Sequence, residues 1–127
     1  MSSARWLDRR IAAPGPYLTL CLSEAELAAA VKHLRYPHAV PWVLPGKQAT
    51  VHTLIPPKGG RTCIVCLDDW QGRDPIEVAG LLVHVAVHIW QQYADDIGEH
   101  NPGREQEAYA IQAIAQELMA EFARRMG

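Results

Sequence analysis

Two histidines, His84 and His88, stand four residues apart in the run GLLVHVAVHIWQQ (residues 80–92). On an α-helix that spacing puts both side chains on one face, about one turn apart. Two imidazoles so placed reach one metal ion, and Zn2+ favours nitrogen ligands of this kind. A hydrolytic zinc site needs a third protein ligand, a bound water, and a base to take that water's proton. In the pattern His-Glu-x-x-His the base is the glutamate directly after the first histidine. This chain has Val85 there, and a valine accepts no proton. General acid–base help of this kind is typically worth about 10²–10⁴-fold. Glu77, Asp95 and Asp96 lie about two turns along the helix from the nearer histidine and do not substitute. Asp68, Asp69 and Glu99 fall in predicted loops, where sequence leaves their position open.

A helix predicted from about 75 to 97 must carry the pair. Asp74 is its N-cap, Pro75 its first residue, Glu77 its N3 acid and Gly98 its stop. From Val78 to Trp90 it is apolar almost all round, which predicts the buried central helix of the fold. After a loop at 99–104 comes a second helix, EQEAYAIQAIAQELMAEFARRM, with an apolar face of Ala108, Ile111, Ala115, Leu118 and Phe122. Glu117, Glu121, Arg124 and Arg125 read as its solvated face, with pairs such as Glu121–Arg125.

Upstream, residues 1–16 form an N-terminal arm ending in a turn, and PYLTLCL reads as a first strand. Ser23 and Glu26 make a capping box for the helix SEAELAAAVKHLRY, whose apolar face is Leu27, Ala30, Val31 and Leu34. Residues 37–48 are a surface loop. ATVHTLI (49–55) and RTCIVCL (61–67), joined by PPKGG, predict an antiparallel hairpin with the second strand central in the sheet. The order β, α, β, β, α, α is that of a single α+β domain over residues 1–127.

Composition bounds the function classes. A net charge of −2 and no long basic run argue against a nucleic-acid partner. No apolar stretch is long enough for a membrane span. The N-terminus is polar, with no apolar segment behind it, and the cysteines number three. Both features predict a cytoplasmic protein without disulfides. Cys63 and Cys66 spell C-x-x-C, but on a strand that spacing turns them to opposite faces, so they read as small buried hydrophobes rather than a redox or zinc pair.

The strings LLVHVAVHIWQQ and EHNPGREQEAYAIQAI resemble the paired active helices of small zincin metallopeptidases of the gluzincin kind, above all short phage- and prophage-encoded peptidase-like proteins. The resemblance is strongest over residues 74–122. It implies a zincin-like fold, with a small sheet packed on the active helix and a glutamate-bearing helix after it, so that 74–126 is the metal-site helix pair. It implies one Zn2+ per chain, His84 and His88 as ligands, peptide-bond hydrolysis, and a peptide or protein substrate. For the third ligand, the family pattern points to Glu105, the apolar stripe of the second helix points to Glu107, and His100 in the loop is a further candidate. Glu105 is preferred. The departure at Val85 predicts a hydrolytically impaired protein, a pseudoenzyme, in which Val85→Glu restores cleavage. The alternative is a non-catalytic phage accessory or interaction domain whose histidines are core residues.

Overall fold

The computed structural model describes residue 4, residues 17–57 and residues 60–127. Apart from residue 4, the predicted N-terminal arm lies outside the described residues, as does part of the PPKGG turn. The run TCIVCL forms strand β3 (Thr62–Leu67), and every one of its six side chains is buried. A strand buried on both faces needs a cover on each side, and the remaining elements supply two.

Strand β1 (Tyr17–Cys21) runs parallel to β3, with Leu18 opposite Cys63 and Cys21 opposite Cys66. Strand β2 (Ala49–Leu54) pairs antiparallel on the other edge, with Val51 opposite Val65. The sheet is thus three-stranded and mixed, in the order β1-β3-β2, with the predicted hairpin in place and β3 in the middle. Alternation sorts the side chains. Leu18, Leu20, Cys63, Val65 and Leu67 face one side, where helices α2 (Pro75–Asp96) and α3 (Arg104–Met126) pack. Cys21, Ile64 and Cys66 face the other, under helix α1 (Glu24–His33) and the loop carrying Val40, Trp42 and Val43. The two cysteines of CIVC therefore lie in different cores, as strand geometry requires.

Local signals place the helix ends. Ser23 Oγ accepts from the Glu26 amide at 3.3 Å, and Glu26 Oε1 accepts from the Leu22 amide at 2.9 Å, closing the capping box. α2 ends at Gly98, whose φ of +76° suits a residue without a Cβ. The Glu99 amide donates to the Ala94 carbonyl at 2.8 Å and the Gly98 amide to the Asp95 carbonyl at 3.0 Å. These are the two bonds of a Schellman stop. No helix is long and apolar enough to cross a membrane among the described residues.

Two expectations change. α3 buries Ala110, Ile114, Ala115 and Leu118, while Ala108 is exposed, so the helix is turned from the predicted face. The end of that helix is not a solvated charge ladder. Glu121 is 1 % exposed and Arg125 is also buried. Arg124 clamps Glu121 through Nε at 2.8 Å and Nη2 at 2.6 Å. Arg125 pairs instead with Glu26 at the start of α1. Periodicity counts Glu121 and Arg125 as polar and so as outward; pairing inside the fold lets them be buried.

The Arg125–Glu26 pair ties α3 to α1 around the edge of the sheet. Nε and Nη1 of Arg125 find no acceptor among the described residues, so Glu26 carries its compensation. Glu26→Gln keeps the cap acceptor but strands a buried guanidinium, and is expected to cost about 3–5 kcal/mol in urea unfolding. The thiols give a second test. Burial pushes Cys21 up to about 12 from an ordinary 9.0, and also raises Cys63 and Cys66. The folded state therefore holds these protons while the unfolded state releases them. Their contribution to stability is intact below about pH 9 and is lost as pH rises towards 12. We expect urea midpoints to fall above pH 9, and a thiol reagent to react at pH 8 only with the unfolded chain.

Candidate functional site

Asp74 opens α2 by accepting the Ile76 amide at 2.8 Å, with Pro75 in the first turn. From there Val78, Leu82, Val85, Ala86, Ile89, Trp90 and Ala94 are buried. These positions recur at helical spacing and form one face, which packs on the sheet and α3. α2 is therefore central but not buried all round. Its outer face carries Ile76, Gly80, Val83, His84, His88 and Gln91, all exposed.

His84 and His88 meet on that outer face. Their rings lie 4.8 Å apart at 71°, and their Nε2 atoms are 3.2 Å apart. The alternative in which they are core residues does not hold, since both are exposed. α2 has enough bulk at Leu82, Ile89 and Trp90 to fill the core without them. The contact is a hydrogen bond, one ring donating and the other accepting. In solvent such a bond adds little to stability.

Val85 is elsewhere. It is 2 % exposed and packs in the core with Leu82 and Ile89. At 100° per residue, the step from position 84 to 85 carries the side chain from the open face into the protein. The third-ligand candidates are also dispersed. Glu105 is exposed on the first turn of α3, and His100 is exposed in the connecting loop. Glu107 is half-buried and accepts the Trp90 indole N–H at 2.9 Å. Glu99 accepts from the Asn101 amide at 3.3 Å, and Asp68 from the Asp69 amide at 3.0 Å. Among the described residues, no three His, Cys, Asp or Glu side chains gather into a group that could hold a metal ion.

No family model, curated protein or solved structure matches this chain. Its functional reading rests on its own residues. Core packing does not explain the pair His84 and His88, since both are exposed on the face of α2 turned away from the core. The role of Glu107 in fixing Trp90 was not legible beforehand, although its place four residues before Ile111 put it on the inner side of α3.

These positions predict opposite responses. Val85→Glu places a carboxylate in an apolar core and is expected to lose roughly 3–5 kcal/mol, the scale of an uncompensated buried charge. His84→Ala and His88→Ala remove exposed side chains and are expected to stay within about 0.5 kcal/mol of the parent. Urea unfolding of the three variants checks both expectations. A stable Val85→Glu protein would mean that position 85 reaches solvent.

Proposed function

We propose that this chain is a metal-binding domain of zincin-like parentage that does not hydrolyse peptides, with His84 and His88 holding a Zn2+ ion. The observation that carries this is the 3.2 Å separation of the two Nε2 atoms. Two nitrogens each about 2.0–2.1 Å from a tetrahedral zinc lie about 3.3–3.4 Å apart. The pair therefore already stands near the spacing of two neighbouring ligands. Among the described residues, two coordination positions are filled and not a third, since Glu105, Glu107 and His100 do not join them.

A bound zinc supplies Lewis acidity and acidifies a coordinated water. Position 85 offers it no base, because it points into the core as well as being valine. Restoring hydrolysis would therefore need more than one glutamate. The role that remains is to hold the ion and use it, with the surrounding outer face of α2, to bind a peptide or protein.

Elemental analysis of the dialysed protein after zinc loading tests this. Retained zinc in the parent, lost in His84→Ala and in His88→Ala, is the expected result. The loaded parent should leave a broad peptide library uncut. Equal zinc content in the parent and both variants would sink the assignment of the ligands, and cleavage would sink the non-hydrolytic role.

A further inference from the structure

We infer that the partner completing this site is a second copy of the same chain: two α2 helices cross outer face to outer face, and two His84–His88 pairs give one metal ion four nitrogen ligands. The inference rests on the metal-binding reading above and names its partner.

Coordination is the first argument. A structural zinc is almost always four-coordinate, and one chain brings two nitrogens with no third ligand among the described residues. The described residues leave two coordination positions to be filled, and a two-fold axis through the ion doubles the set without requiring any other protein.

The second argument is the surface around the pair. From Val78 to Ala94 the helix contains no Asp, Glu, Lys or Arg. A solvent face of an amphipathic helix ordinarily carries charge. Here Val83, directly before His84, is 40 % exposed. The uncharged stretch spans about 25 Å at 1.5 Å per residue.

Symmetry supplies the third. The midpoint of His84 and His88 is position 86, which is also the midpoint of the stretch from Val78 to Ala94. A two-fold axis through a metal on the pair therefore lays one uncharged stretch across the middle of the other. A heterologous partner would have no reason to need this centring. Gly80, one turn before His84, has open space where a Cβ would stand, so a second helix can approach there closely.

Sedimentation velocity and native mass spectrometry of the full chain, metal-free and with increasing Zn2+, test the inference. The expected result is a monomer in chelator and a dimer that saturates at one zinc per two chains. His84→Ala and His88→Ala should stay monomeric. Val83→Lys, at an exposed position outside the ligand set, should still bind zinc but weaken dimerisation at least tenfold. A zinc-loaded monomer with one ion per chain would overturn the second copy while leaving the metal site standing. A chain that binds no zinc would overturn the metal reading and this inference together. A dimer that persists in chelator or in His84→Ala would show that the metal does not bridge it, and an unaffected Val83→Lys dimer would place the interface elsewhere.

Discussion

Strand β3 is the constraint on which the rest of this molecule is arranged. All six of its side chains are buried, so neither face of this strand meets water. Leu18, Leu20 and Val65 demand a large cover, and two long helices provide it. Cys21, Ile64 and Cys66 need a smaller one, and α1 with the loop after it is enough. With only three strands, the sheet cannot shield its own ends. The buried contact between Arg125 and Glu26 closes one of them by joining the last helix to the first.

That constraint decides the chemistry of α2. The helix must spend one face on β3 and α3, and its register assigns Leu82, Val85, Ala86 and Ile89 to that work. What is left outward is the stripe that holds His84 and His88. A hydrolytic helix of the His-Glu-x-x-His kind has to present three positions to its cleft: the first ligand, its neighbour and the second ligand. This helix presents two of them. Position 85 is turned into the core, and valine is what a core position asks for.

Polar groups elsewhere are used to hold the scaffold. Glu107 takes the indole N–H of a buried Trp90 and so pins the start of α3 against α2. Trp70, in the short turn before α2, donates to the Leu22 carbonyl at 3.0 Å and meets Phe122 edge-on at 6.0 Å. Groups committed in this way are satisfied inside the fold, whereas the residue types on the outer face of α2 are not accounted for by the core.

Much of this was legible in the chain itself. The element order, the Ser23–Glu26 cap, the Gly98 stop, the central place of β3 and the divergence of Cys63 from Cys66 all follow from local rules: alternation, helix period and backbone freedom. The i, i+4 pairing of His84 with His88 is of the same kind, since it needs only a helix. What the chain alone did not decide was rotation. A helix apolar nearly all round has no periodic signal to say which side turns inward, and α3 hid two paired charges on the side it buries. Only the sheet beneath α2 and the glutamate across from Arg125 settle those questions. Burial is a property of the partner surface, and a sequence read one segment at a time does not contain it.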